Sequence, residues 1–124
     1  MSQLQIQNRV NGQVAILDLD GRLTLGESSV TLRDSVRGLL AGGHKNIVIN
    51  MKDVDYVDSS GLGELVSAFA TAKRDDAKLK LVNLAQRVHG LLQITKLLTV
   101  FETFDREDDA IRSFEAVAAT SPAL

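Results

Sequence analysis

Cysteine and tryptophan are absent from the 124 residues, and proline occurs once, at Pro122. Without cysteine the chain has neither a disulfide framework nor a thiolate metal site. Its apolar runs fall short of the roughly 18–20 residues that a membrane-spanning helix needs. The first residues also lack the basic and then apolar segments of a secretion signal. These absences favour a cytoplasmic domain that carries no metal or other cofactor.

Charge and length narrow the class of protein further. The net charge is −2, which argues against nucleic acid as a main partner, and 44% of the residues are hydrophobic, which is typical of a folded core. At this length we expect one domain over residues 1–124. Its ordered core should span about 3–118, with a frayed tail at 119–124.

Hydrophobic periodicity predicts an α/β fold. Alternating or short continuous apolar runs predict five strands, at residues 3–10, 13–20, 45–51, 78–84 and 100–104. Helical spacing predicts four helices: one that ends at Gly42-Gly43, one from the turn at 57–63 to about Arg74, one at 86–95, and one that begins at Asp105. The order β-β-α-β-α-β-α-β-α predicts a mixed sheet of four or five strands, parallel except for an antiparallel N-terminal hairpin.

Three local features refine this fold. Asn11-Gly12 predicts a two-residue hairpin turn, and the alternation places Leu4, Ile6 and Val10 on the inner side of the first strand. The stretch from Gly21 to Gly26 is expected to be a loop. Asp105 and Asp108 form an imperfect capping box for the last helix.

The segment Val57-Asp58-Ser59-Ser60-Gly61-Leu62-Gly63 lies where the third strand should meet the second helix. The first N–H groups of a helix lack partners and attract negative charge, and a serine there is a good N-cap. This turn is therefore the candidate functional site.

Catalytic and metal-binding functions find little support in the residues. Ser59 or Ser60 could act as a nucleophile with His44 or His89 as base, but the glycine that precedes the serine in a nucleophile elbow is missing. Asp53, Asp55 and Asp58 do not have the spacing of a calcium loop. We therefore expect neither an enzyme nor a metal site.

Two other uses of the turn remain open. Gly61-Leu62-Gly63 could cradle a phosphate of a nucleotide, although Val66 replaces the third glycine of the fingerprint and no lysine follows. Alternatively, the turn is itself phosphorylated. The helix N-terminus would tolerate the added charge while a partner docked over the turn would not, and this difference makes a switch.

One face of the second helix is built from small side chains. Gly63, Ser67 and Thr71 follow one another four residues apart, opposite the predicted apolar stripe. Small side chains let another backbone approach closely and lose little entropy on docking. This ridge predicts a protein–protein interface.

The chain resembles the STAS domain family, and most of all its small bacterial anti-sigma factor antagonists. The residues that carry the resemblance are Asp58 to Gly63, the preceding Val54 to Val57, Gly21-x-Leu23, Lys78 to Asn83 and Phe101 to Phe104. The resemblance implies a non-enzymatic protein that binds an anti-sigma factor with serine kinase activity, without direct nucleic acid binding or membrane insertion. It also implies phosphorylation of Ser60, with Ser59 as the second choice, which would end that binding.

The resemblance and the ridge together define the expected partner-binding residues: Asp58, Ser59, Gly61, Leu62, Gly63, Ser67, Thr71, Gly21 and Thr24. Thr24 departs from the family pattern, in which the antagonists commonly carry an aspartate, and this departure puts an orthodox kinase partner in question. The alternatives are a STAS scaffold of the stressosome type, a regulatory subunit of a lipid-transport machine, and a nucleotide-binding regulatory module.

Overall fold

Five strands and four helices follow one another in the predicted order in a computed structural model, which describes the backbone of residues 4–120 and the side chains of residues 4–115. The elements are β1 (Gln5–Asn11), β2 (Val14–Leu23), α1 (Glu27–Ala41), β3 (Asn46–Val57), α2 (Ser59–Arg74), β4 (Lys78–Val82), α3 (Gln86–Ile94), β5 (Thr103–Phe104) and α4 (Glu107–Thr120). A 3₁₀ turn, Leu97–Thr99, precedes β5. None of the helices formed by the described residues is long and apolar enough to cross a bilayer.

The strands form one mixed sheet in the order β1-β2-β3-β4-β5. β1 pairs with β2 in antiparallel fashion and the other neighbours are parallel. The predicted fold class and the N-terminal hairpin are therefore confirmed.

Both faces of the sheet are covered by helices. The larger apolar cluster joins one face to α1, α2 and α3, and a smaller cluster joins the other face to α4. β2 supplies both clusters because its successive side chains alternate, with Leu17 in the larger and Ile16 in the smaller. β3 is covered on both faces, since its successive residues Ile47, Val48 and Ile49 are all fully buried.

The hairpin turn lies one residue beyond its predicted position. Asn11 pairs with Val14, so the turn residues are Gly12 and Gln13 rather than Asn11-Gly12. Gly12 has φ +65°, whereas Gln13 does not have a positive φ, and a glycine at the first turn position is the pattern of a type II′ turn. Val10 is also 62% exposed instead of buried.

The strand and helix ends differ from prediction where tertiary pairing extends or shortens an element. β2 and β3 pair as far as Leu23 and Val57, so the predicted Gly21–Gly26 loop shrinks to residues 24–26. α4 begins at Glu107 rather than at Asp105. The predicted tail at 119–124 falls partly outside the described residues, which end at residue 120 within α4.

Candidate docking and phosphorylation site

Asp58 caps α2 at the end of β3. Its backbone is extended, and its Oδ1 accepts a hydrogen bond of 2.7 Å from the N–H of Gly61. The cap of this helix is therefore the aspartate rather than a serine. Both serines are consequently free of the capping role.

The second carboxylate oxygen of Asp58 joins the turn to the loop that follows β2. Oδ2 accepts a hydrogen bond of 3.2 Å from the N–H of Leu25, and the N–H of Asp58 donates to the carbonyl of Leu23 at 3.2 Å. The two segments meet because Leu23 and Val57 pair as the last residues of neighbouring parallel strands. Asp58 thus joins the loop after β2 to the turn after β3, at the carboxyl ends of these two neighbouring strands.

Gly61 is a glycine because the first turn of α2 packs directly on the end of β2. A Cβ at Gly61 would lie 2.1 Å from the carbonyl oxygen and 2.9 Å from the Cγ of Leu23. The missing side chain therefore makes room for the protein's own backbone rather than for a phosphate. The N–H of Gly61 is also bonded to Asp58, which weighs against a nucleotide cradle.

Ser59 and Ser60 are the first two residues of α2. Ser59 is exposed and Ser60 is half-buried, and neither hydroxyl bonds to another described residue. Their N–H groups likewise have no acceptor in the described part of the chain. Ser60 thus lies within one residue of the helix start, as predicted, at the positive end of the helix dipole.

Leu62 follows Gly61 in the turn and packs its side chain into the core. It is buried in the larger apolar cluster, on the side of α2 that faces the sheet. Leu62 and Gly61, both expected at the partner surface, therefore lie inside the fold. They shape that surface indirectly.

Thr24 lies in the loop beside the turn and is held by two serines of α1. Its N–H donates to Ser28 Oγ at 2.8 Å, and its carbonyl accepts from the hydroxyls of Ser28 and Ser29 at 2.7 and 2.8 Å. Sequence reasoning missed both serines, although a Ser-Ser pair at a helix start is a capping signal. Gly21, with φ +129°, lies earlier at an irregularity of the β2–β3 pairing.

The ridge on α2 borders α1. Gly63 and Ser67 are exposed, whereas Thr71 is half-buried. Ser67 and Thr71 line a cleft with Arg33 and Glu64, whose side chains form a salt bridge at 2.7 Å. The ridge is therefore solvent-accessible at its N-terminal end and partly covered at its C-terminal end.

An apolar groove that the sequence did not reveal lies next to the turn. It has a volume of about 330 Å³ and is lined by Tyr56 and Val57 of β3 and by residues of α3, including Leu91 and Ile94. Ile94 is 81% exposed. Ile94 lies on the same helix as the buried Val88 and Leu92 but outside their face, and together with the other groove residues it forms a contiguous apolar patch of the kind that marks contact surfaces.

The structure brings neither the candidate metal ligands into one cluster nor the two histidines to the serines. The described residues contain no group of three or more histidine, aspartate or glutamate side chains that could hold a metal, and Asp53 and Asp55 are exposed. His44 precedes β3 and the serines follow it, so a twelve-residue strand separates them. His89 lines a different cavity, with Leu84 and Asp105.

Known proteins of the same size and fold match this chain. The anti-sigma F factor antagonist of Paenibacillus polymyxa is 24% identical over 115 residues, which are 93% of this chain and 98% of that protein. The anti-sigma-B factor antagonist of Bacillus subtilis is 33% identical over 85 residues, or 68% of this chain and 77% of that protein.

Solved structures show the same fold. The anti-sigma factor antagonist SpoIIAA in its unphosphorylated form has a TM-score of 0.69 at 18% identity, and Bacillus SpoIIAA in the phosphorylated form has 0.68 at 19%. Each comparison covers 90% of this chain and 98% of that one. Residues 5–110 match the STAS domain family, and the chain belongs to that family.

Proposed function

We propose that this protein is a cytoplasmic anti-sigma factor antagonist. In its unphosphorylated form it binds an anti-sigma factor that is also a serine kinase, and phosphorylation of Ser60 ends the binding. The observation that carries this proposal is the free hydroxyl of Ser60 at the start of α2, beside a carboxylate that is already engaged in holding the fold. The names of the two curated relatives support the class of partner.

Phosphorylation at this place acts on the partner and not on the fold. A phosphoserine carries about 1.5–2 negative charges. The unpaired N–H groups of Ser59 and Ser60 and the positive end of the helix stabilise them locally. A partner docked over the turn meets this charge together with that of Asp58, so the docked complex loses both contact and favourable electrostatics.

The docking surface consists of the exposed residues around the turn. Ser59, Gly63 and Ser67 present small side chains along α2, and Leu25 in the neighbouring loop is 77% exposed. The groove between Tyr56 and Ile94 continues this surface on the other side. Small polar residues flanked by exposed apolar ones favour a protein partner over a small ligand.

With threonine at position 24, the loop of residues 24–26 contributes no charged side chain to the docking surface. The loop residues 24–26 are threonine, leucine and glycine, and the carboxylate of Asp58 is bonded to the loop backbone. We infer that the cognate kinase contacts this loop through apolar packing on Leu25 rather than through a basic side chain. This explains how the protein works without the aspartate that is common in the family.

Phosphopeptide mapping tests the proposal. With a serine kinase of the anti-sigma class and ATP, we expect incorporation at Ser60, loss of incorporation in Ser60→Ala and its retention in the matched variant Ser59→Ala. Titration calorimetry should then show that the phosphorylated protein binds the kinase at least tenfold more weakly. Label found only outside residues 59–60, or equal affinity of the two forms, would refute the switch.

A further inference from the structure

The two edges of the sheet differ in how open they are to another strand. β5 has only two residues, which lie between the exposed charges of Glu102 and Asp105. β1 has seven residues and is mostly exposed. Among the described residues, β1 therefore offers the longest continuous strand at an edge of the sheet.

β1 also lacks the features with which sheet edges prevent pairing. It contains no proline or lysine, and its register with β2 runs without a bulge from Gln5 to Asn11. Its single charge belongs to Arg9. That side chain lies on the α4 face, where Asp18 and Glu107 neutralise it.

The hydrogen-bonding groups of β1 alternate in direction. The two-residue turn closes on the pair of Asn11 and Val14, so residues 5, 7, 9 and 11 bond to β2. Ile6, Asn8 and Val10 therefore direct their N–H and C=O groups away from the sheet. Within the described residues they have no backbone partner, and they form a row of three positions centred on Asn8.

We propose that β1 pairs with β1 of a second copy of this chain, antiparallel and with the twofold axis through Asn8. In this register Ile6 of each copy lies opposite Val10 of the other, and all three outward positions form hydrogen-bonded pairs. The two sheets then become one ten-stranded sheet. The arrangement is self-complementary and closed, so it ends at a dimer.

The side chains of β1 favour this register over others. Ile6, Asn8 and Val10 share the face that carries α1 and α2, since Ile6 and Val10 lie opposite Leu19 and Ala15 of the larger cluster. Val10 is exposed in the single copy although its alternation predicts an inner position. In the dimer Ile6 of the second copy covers it, which gives an apolar contact at each end of the paired segment.

The dimer leaves the docking turn accessible. The turn follows β3, the central strand, whereas the pairing involves the outer edge of β1. A contact of seven residues per copy is small beside the ~1,200–2,000 Å² of a standard interface. We therefore expect a weak dimer whose population depends on concentration, with a docking turn on each copy.

Sedimentation equilibrium over a range of concentrations tests the pairing. We expect a monomer–dimer equilibrium for the wild type. Asn8→Pro removes an outward N–H and no bond to β2, so it should remain folded by circular dichroism and become monomeric. Val10→Lys should weaken the dimer at least tenfold, while the matched surface change Val30→Lys on α1 should leave it unchanged.

Cross-linking tests the register. The chain has no cysteine of its own, and the two Asn8 Cα atoms should lie about 5.5 Å apart. Asn8→Cys should therefore be cross-linked efficiently by a short bis-maleimide. Gln5→Cys should not, because its two copies lie ~20 Å apart in this register. A wild type that stays monomeric at millimolar concentration, a dimer that survives Asn8→Pro, or assembly beyond the dimer would overturn the proposal.

Discussion

Gly61 lies so close to Leu23 that a single Cβ on the glycine would approach the leucine carbonyl oxygen to 2.1 Å. The contact joins the first turn of α2 to the end of β2, and it explains why a glycine stands in the middle of the candidate site. The same contact places the two loops of the docking surface side by side.

Gly61→Ala is therefore expected to be strongly destabilising, by about 3 kcal/mol or more, because backbone must move to admit the methyl group. The matched change Gly63→Ala, two residues later on the same helix, meets nothing within 4 Å. It should stabilise the protein by about 0.5–1 kcal/mol through the helix propensity of alanine. Urea unfolding of both variants measures the difference, and equal effects would contradict the packing argument.

Asp58→Ala should lower the free energy of unfolding by about 1–2 kcal/mol, since it removes the cap of α2. It also frees the N–H of Leu25, so amide exchange at Leu25 and Gly61 should become faster. Asp58→Asn, which keeps an oxygen for one of these bonds, serves as the control and should lose less. Unchanged exchange at Leu25 in Asp58→Ala would show that the carboxylate does not hold the loop.

Arg9 links the hairpin to α4 through bonds to Asp18 and Glu107, and these bonds lower the pKa of both carboxyl groups. Their stabilising effect is therefore fully present above the unfolded pKa values of about 4. It is lost as the pH falls through the lower folded pKa values.

Arg9→Met should accordingly cost about 1 kcal/mol at pH 7, a small value because Arg9 is half-exposed and the pairs are screened. The difference from wild type should shrink as the pH falls below about 4. Urea unfolding at several pH values and low salt measures it. The exposed pair of Arg112 and Asp109 provides the control, since Arg112→Met should change stability very little. A difference that grows toward acid pH would contradict the assignment.

Ser67→Arg should block binding of the proposed kinase, because a long side chain then fills the exposed part of the small-residue ridge. Glu115→Arg adds the same group at an exposed position on α4, which packs on the other face of the sheet, and should bind normally. Both variants should unfold within about 0.5 kcal/mol of wild type. Normal binding by Ser67→Arg would move the interface toward Leu25 and the Thr24 loop.

Ser60→Asp should weaken the same complex by adding charge at the turn, with Ser60→Asn as the uncharged control. Its effect should not add to that of Ser67→Arg, since each variant removes one shared docked contact. Titration calorimetry of the single and double variants decides between shared and independent contacts. Full additivity would indicate two separate contacts.

The order of strands and helices and the place of the serine turn could be predicted from the sequence, because both depend on local signals. Alternation with period two places Leu17 and Ile16 on opposite faces of β2 wherever that strand pairs. Likewise, a strand pattern followed by Asp-Ser-Ser-Gly and helical spacing indicates a helix start at Ser59 or Ser60 without knowledge of neighbours.

Other features depended on which segments meet in space, and local sequence contains no record of that. Lys80 and Glu64 carry charges that no local pattern marks as buried, yet both are buried, since Lys80 bonds to Ser113 of α4 and Glu64 to Arg33 of α1. Asp58 could be recognised as a polar turn residue, but its second bond to Leu25, 33 residues away, arises only when β2 and β3 lie side by side. The sequence by itself determined the fold class and the chemical character of the turn. Tertiary pairing decided which groups at that turn are committed to the fold and which, like the hydroxyl of Ser60, remain free.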